Sequence, residues 1–193
     1  MKKIIIVALS VLSLSFAKAQ QVKFGIKGGI NLSTITGDNS SSFSSMIGAN
    51  AGGFSRFAVA KQFSIQPEVV LSLEGAKFSI NGVGGNMTGT YINVPVLAQY
   101  EVGSGFVLQS GIQIGLLLSA REKVDKQGST SIKDQLKSTN FSWVIGSSYQ
   151  PKEWPVGFDL RYNLGLSNIN SNTAVLNHTS TWQIGVFYVF NKK

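Results

Sequence analysis

His178 and Ser180 are the residues of this sequence whose types and spacing come nearest to hydrolytic chemistry. A histidine can take the proton of a serine hydroxyl and so make that oxygen a nucleophile for acyl transfer. On an extended strand, residues two apart point to the same face, which would bring both side chains together. A third, acidic residue normally orients the histidine, but no Asp or Glu follows Ser180 in the chain. The polarity of a loop explains His178 more simply, so we expect no catalytic residues.

The composition excludes most metal and thiol chemistry. The chain has 193 residues with no cysteine and one histidine. Zinc sites built from cysteines or from several histidines, and disulfide scaffolds, are therefore excluded. A hydrophobic content of 43% also excludes a disordered chain. We expect neither a metal nor a cofactor.

Charged side chains at alternate positions of otherwise apolar segments are the remaining polar groups of interest. They are Lys27, Arg56, Glu68, Glu101, Asp159 and Arg161. Only 13% of the residues are charged, against about 25% in an ordinary soluble domain. Because a buried, unpaired ion costs several kcal/mol, we expect the two arginines to face the three carboxylates in a shared interior.

The elements that carry these charges have a period of two. From Val22 to Ser33, one set of alternate residues is apolar, and the other is polar or glycine. A helix does not separate residues in this way, whereas a strand does. The pattern recurs in seven further segments, at residues 47–59, 62–74, 91–102, 106–118, 140–149, 156–166 and 181–190. The sequence therefore predicts eight strands.

The links between these strands alternate in length. Long polar links occupy residues 34–45, 75–89, 121–139 and 168–178, and short turns occupy residues 60–62, 103–105 and 151–155. In an up-and-down sheet, alternate links lie at the same end. Outer-membrane barrels have long loops at one end and tight turns at the other. We therefore predict an all-β fold, an eight-stranded antiparallel up-and-down transmembrane barrel.

The side chains on the apolar face distinguish a membrane barrel from a soluble one. A soluble barrel encloses its apolar face, whereas a membrane barrel turns that face to lipid and keeps a polar lumen. Here the apolar face carries aromatic residues towards the strand ends, where amphipathic rings favour the bilayer interface. These predicted interface aromatics are Tyr100, Trp143, Tyr149, Trp182 and Tyr188. The membrane barrel is therefore the favoured interpretation.

The N-terminal segment has the organisation of a secretory signal peptide. Lys2 and Lys3 precede an apolar run, and a small residue on either side of Lys18 provides a cleavage site. We predict a signal peptide over residues 1–19 and a barrel domain over residues 20–193. Removing the three lysines lowers the formal net charge from +8 to +5. Much of the basicity thus serves targeting, and we expect no nucleic-acid partner.

Several short motifs resemble the PorT-type outer-membrane β-barrel domain family, among the small porin-family barrels. They are Gly25–Asn31, Ile65–Glu68, Tyr91–Pro95 and Asp159–Ile169. The resemblance implies a barrel in the outer membrane of a Gram-negative cell, with long loops extracellular and short turns periplasmic. It implies no catalytic site. Phe190 resembles the near-terminal aromatic that the barrel assembly machinery reads.

An eight-stranded barrel is just wide enough for side chains to fill its interior. We therefore expect a non-enzymatic monomer that acts in envelope structure or through its surface loops. One alternative is a narrow channel or transporter for small solutes. Another is a lipid A-modifying enzyme, because His178 and Ser180 are similar to the pair in lipid A deacylase barrels. The expected partners are outer-membrane lipids and lipopolysaccharide, whose phosphates the basic residues of the link at 121–139 would meet.

Overall fold

The computed structural model describes residues 22–38, 40–80, 83–124, 128–171 and 176–190. The predicted signal peptide lies outside the described residues. No helix among them is long and apolar enough to cross a membrane. Two single-turn 3-10 helices lie in links, at Ser40–Ser42 and Lys133–Gln135.

The described residues form nine strands, eight of them long. The strands are β1 (Val22–Gly37), β2 (Phe43–Ala58), β3 (Phe63–Ile80), β4 (Val83–Gly103), β5 (Phe106–Val124), β6 (Gly128–Ser131), β7 (Thr139–Tyr149), β8 (Val156–Gly165) and β9 (Asn177–Val189). The four-residue β6 folds back from the end of β5 and pairs with it. The eight predicted strands are thus present, and β6 lies within a predicted link.

The eight long strands close into a ring. Their order is β4-β3-β2-β1-β9-β8-β7-β5, and β4 also pairs with β5. Each long strand is antiparallel to both neighbours, and β9 closes on β1. Closure gives every long strand a partner on each side, which a membrane demands because lipid offers no hydrogen bonds. The predicted eight-stranded up-and-down barrel is confirmed.

The two ends of the barrel differ in their links, although less than the sequence predicts. The turn end has short links at residues 59–62, 104–105 and 150–155. At the opposite loop end, most of the predicted long links at 34–45 and 75–89 is strand, since β3 and β4 remain paired up to Ile80 and Val83. Apolar residues inside these extensions, such as Ile35 and Ala76, pack within the barrel and favour continued pairing. The links at 125–138 and 166–176 are the long ones.

The apolar face of the strands points outward. Ile30 is 55% exposed, whereas Asn31 beside it is fully buried at 0%, and Leu71 and Ser72 show the same contrast. Exposed aliphatic side chains around a complete ring need an apolar surrounding, and outer-membrane barrels have such a band. The lumen is lined by amides, hydroxyls and charges over most of its length.

The loop end of the lumen departs from this polar pattern. Alternation turns Leu117 of β5 inward between the outward Leu116 and Leu118. A register shift beside Tyr91 on β4 then leaves Leu118 without a partner in the ladder, so that Ala120 also points inward. Buried apolar side chains then fill this end in two clusters. The first contains Tyr91, Leu117, Ala120 and Ile132, and the second contains Ile35, Ala76 and Ile169. The lumen is therefore polar in the middle and apolar at the loop end.

Candidate functional site

Four charged side chains form a compact group in the middle of the lumen, here named the lumen charge cluster. It consists of Lys27 on β1, Glu68 on β3, and Asp159 and Arg161 on β8. Each lies on the polar face of its strand, so the period of two directs all four inward. All are less than 10% exposed. The cluster contains two cations and two anions, so its formal charge is zero.

Arg161 and Glu68 connect opposite walls of the barrel. Strand β8 is four places from β3 in either direction around the ring. The Nη1 and Nη2 atoms of Arg161 donate to the two carboxylate oxygens of Glu68, each over 2.8 Å. This paired geometry is among the strongest between a side-chain cation and a carboxylate. The ion pair therefore spans the lumen and links its two opposite walls.

Asp159 joins the remaining members of the cluster. Its Oδ2 atom accepts a hydrogen bond of 2.8 Å from Lys27 Nζ. The same oxygen lies 2.6 Å from Arg161 Nε, in an ion pair without hydrogen-bond geometry. Lys27 Nζ also lies 3.6 Å from Glu68 Oε2. Every charge in the cluster thus faces an opposite charge on another strand, and Asp159 and Arg161 also face each other on β8.

Uncharged side chains complete the packing around the cluster. Gln66 donates to Glu68 Oε1 over 2.7 Å, and Gln109 lies 3.4 Å from Arg161. The space between the cluster and its neighbours contains no water-sized void. A solute passing along the lumen would have to displace these buried side chains.

The sequence predicts that Arg56 and Glu101 share the interior with the other charges, but neither belongs to the cluster. Arg56 donates through Nε to Gln66 over 2.7 Å, and among the described residues it makes no ion pair. Its guanidinium lies 5.7 Å from the Phe54 ring centroid and 5.8 Å from that of Phe187, within cation–π range. Glu101 is exposed because the β4–β5 ladder becomes irregular there, just before the turn. Both residues line open cavities at the turn end.

Phe54 and Phe187 obstruct the lumen between the cluster and the turn end. Their rings meet edge to face with centroids 5.9 Å apart, and both are buried with Val189. A Cβ atom on Gly157 would collide with the Phe187 ring, so the glycine leaves room for the aromatic side chain. This pair was not predicted, although Phe54 stands among glycines at a polar-face position of β2.

A layer of amides and hydroxyls lies on the other side of the cluster, and it was also missed. Asn31 donates to Ser72 over 2.8 Å and accepts from Asn50 over 2.6 Å. Gln183 also donates to the same Asn31 oxygen, over 3.2 Å. These bonds link β9, β1, β2 and β3. Asparagines at polar-face positions of the strands are the sequence signal for this layer.

The predicted interface aromatics lie on the outer surface, in two groups. Tyr100, Tyr149 and Tyr188 lie near the turn end, where they contact Phe63, Phe106 and Phe190, respectively. Trp143 and Trp182 lie farther towards the loop end, and Trp182 contacts Tyr162 with ring centroids 4.8 Å apart. All five predicted residues are at least 36% exposed.

The arrangement of His178 and Ser180 is not that of a catalytic pair. His178 Nδ1 lies 3.0 Å from the carbonyl oxygen of Ser167, and Ser180 Oγ lies 3.5 Å from Thr36 Oγ1. Within the described part of the chain, no carboxylate hydrogen-bonds to His178, and no group of three potential metal-binding residues occurs. Nothing in this geometry would activate the serine.

Comparisons with known proteins agree with the architecture. Residues 18–171 match the family described as "Outer membrane protein beta-barrel domain". No curated protein matches the chain. Among solved structures, the attachment invasion locus protein Ail of Yersinia pestis, in complex with the heparin analogue sucrose octasulfate, is similar, with a TM-score of 0.54, 17% identity, and coverage of 88% of this chain and 99% of that chain. Neisserial surface protein A is also similar, with a TM-score of 0.56, 14% identity, and coverage of 86% and 96%.

Proposed function

The chain belongs to the outer membrane protein beta-barrel domain family and is an outer-membrane protein, and from this we propose that it is a closed, non-enzymatic barrel that acts at its loop end on lipopolysaccharide. The observation that carries the proposal is the closure of the lumen. Ion pairs cross it, aromatic rings obstruct it, and no water-sized void lies between them. This closure argues against transport through the lumen, so we assign the function to the surface of the barrel.

A row of outward cations lies just beyond the lipid-facing band at the loop end, here named the basic row. It consists of Lys77 on β3 and Arg121 and Lys123 on β5, all exposed. Asn86 of β4 pairs with both Lys77 and Lys123, so these two cations are two strands, or about 10 Å, apart. Glu122 points to the opposite face and does not neutralise the row.

The position of the basic row matches the phosphates of an outer leaflet. The lipid-facing Leu73 and Leu118 stand only four and three residues before Lys77 and Arg121. Cations directly above an apolar band would meet headgroups while the leucines contact acyl chains. With the loop end extracellular, as in known barrels, the headgroups would be those of lipopolysaccharide. A polyanion is also what Ail binds in its complex with sucrose octasulfate.

Binding of bisphosphorylated lipid A to the folded protein in detergent micelles tests this proposal. We expect saturable binding that falls at least about tenfold in the variant Lys77→Gln/Arg121→Gln/Lys123→Gln, because three phosphate contacts are removed. A matched control changes three turn-end cations, Lys23, Lys61 and Lys152, to Gln and should bind normally. Equal binding by both triple variants, or equal binding of dephosphorylated lipid A, would contradict the proposal.

The remaining assignments are part of the same proposal. The absence of a carboxylate beside His178 among the described residues supports a non-enzymatic barrel, and lipid A of unchanged mass after overexpression would test it. We assign the lumen charge cluster a structural role, together with residues 20–193 as one barrel domain after a cleaved signal peptide. The short motifs favour a PorT-type barrel, inserted by the assembly machinery as a monomer.

A further inference from the structure

Glu74 is a buried carboxyl group that the lumen charge cluster does not use. It lies on β3 at the loop end of the lumen and is 4% exposed. Its Oε1 atom accepts two hydrogen bonds, 2.8 Å from Ser72 Oγ and 2.7 Å from Asn93 Nδ2. Among the residues that the structure describes, Oε2 has no hydrogen bond, and no Lys or Arg forms an ion pair with either oxygen. The carboxyl group is therefore held in place but lacks a cation.

Glu74 lies at the floor of a cavity with apolar walls, here named the loop-end pocket. Its walls include Ile35 and Met87, and its roof is formed by Ile132, Leu136 and Ile169. The two long links hold this roof together, since Lys137 donates to the Ile169 carbonyl over 2.8 Å and Ser171 donates to that of Gln135 over 3.0 Å. The pocket is thus built from both strands and links.

The size of the pocket limits what it can hold. Its volume is about 40 Å³, roughly three times the 10–15 Å³ that one water molecule needs. Chemical groups of about three heavy atoms fit this space. A chain of waters fits less well, because a buried water needs two or more polar partners and most of the wall is apolar, although Thr88, Asn177 and Thr179 also line it.

One carboxyl group without a cation, beside an apolar wall, favours a ligand that has a positive charge at one end and an apolar part at the other. Without a cation, burial favours the neutral form of this carboxyl group. A cation that donates hydrogen bonds to it would stabilise the ionised form. Aliphatic carbons attached to that cation would cover the apolar walls. A bare metal ion would leave the walls empty and find only one charged ligand.

We propose that the loop-end pocket binds a small primary amine, with its ammonium nitrogen at Glu74 Oε2 and its aliphatic carbons against Ile35, Met87 and the roof. This site is separate from the basic row, so binding there is independent of lipopolysaccharide. A ligand of three heavy atoms can reach a Kd of about millimolar at best.

Methyl NMR of the refolded protein in micelles, with ¹³C-methyl methionine, provides the test. Met87 lines the pocket, and its signal is assigned with Met87→Leu. Ethylammonium chloride should shift this signal saturably, while ethanol, of the same size but neutral, should not at equal concentration. In Glu74→Gln, which keeps the bonds from Ser72 and Asn93, we expect the affinity to fall at least about tenfold. The control Glu101→Gln, an exposed carboxyl at the turn end, should respond like the wild type.

A second variant keeps the test decisive if Glu74→Gln does not fold. Leu136→Trp would fill the pocket from its roof without altering a strand of the ring, and it should abolish the shift. The inference is overturned if ethylammonium leaves the Met87 signal unchanged in the folded wild type, if ethanol shifts it equally, or if Glu74→Gln or Leu136→Trp responds as strongly as the wild type.

Discussion

Arg161 is the residue on which most of the lumen depends. It binds Glu68 across the full width of the barrel and also lies against Asp159. Removing Arg161 leaves the buried carboxylates of Glu68 and Asp159 to share Lys27, an excess of one negative charge that costs about 3–5 kcal/mol. Removing both partners by similar-sized neutral groups costs much less, since Lys27 and Asp159 remain paired.

A double-mutant cycle measures this coupling. Arg161→Met should lower the free energy of unfolding by about 3–5 kcal/mol, and Glu68→Gln alone should lower it as well. Adding Glu68→Gln to it should restore stability, to within about 1–2 kcal/mol of the wild type. Urea unfolding in lipid vesicles, followed by the heat-modifiable mobility of the folded barrel on gels, gives the values. Additive losses in the double variant would mean that the two side chains do not act as a pair.

The residues that face inward could be predicted, but their partners could not. Alternation places Lys27, Glu68 and Arg161 on one face of their strands. Which of them meet depends on the order of strands around the ring and on the stagger between strands, and neither is written in the period of two. Glu101 shows the difference, because it has the right alternation yet lies too near the turn to be enclosed.

At the scale of the elements, strand and turn assignments from the sequence succeeded where one face meets lipid. There the apolar face is continuous, so the signal is strong. Beyond the lipid the outer face becomes polar, and the extensions of β3 and β4 therefore resemble a loop at residues 75–89. Their pairing is fixed from inside, by residues such as Ala76, which packs with Ile35 and Ile169, and by the partner strand.

Tryptophan fluorescence tests where the strands meet the bilayer. Trp143 and Trp182 are on the outer face within the apolar band, whereas Trp154 lies in the link between β7 and β8. In vesicles of lipids brominated near the middle of the acyl chain, bromine should quench the tryptophan fluorescence of Trp154→Phe nearly as strongly as that of the wild type. The variant Trp143→Phe/Trp182→Phe should lose most of it. If bromine quenched the fluorescence of the double variant more strongly than that of Trp154→Phe, the acyl chains would lie at the turn and not at the apolar band, which would contradict this placement of the bilayer.

For the molecule as a whole, successive layers along the lumen account for its closure. From the turn end, they are the Phe54–Phe187 pair, the lumen charge cluster, the amide layer around Asn31, and the loop-end pocket beneath its roof. The number of strands predicted a filled lumen, since eight strands leave little room. The apolar loop end was only partly predictable. Alternation places Tyr91 and Leu117 inward, but Ala120 depends on the irregular β4–β5 pairing, and Ile132 and Ile169 depend on links that fold inward.

Single-channel recording in planar lipid bilayers tests the closed lumen most directly. We expect no unitary conductance steps from protein whose heat-modifiable mobility shows that it is folded, because ion pairs and aromatic rings fill the path. Stable steps whose size changes in Arg56→Gln or Arg161→Gln would show that ions pass through the lumen, and would contradict the closed barrel.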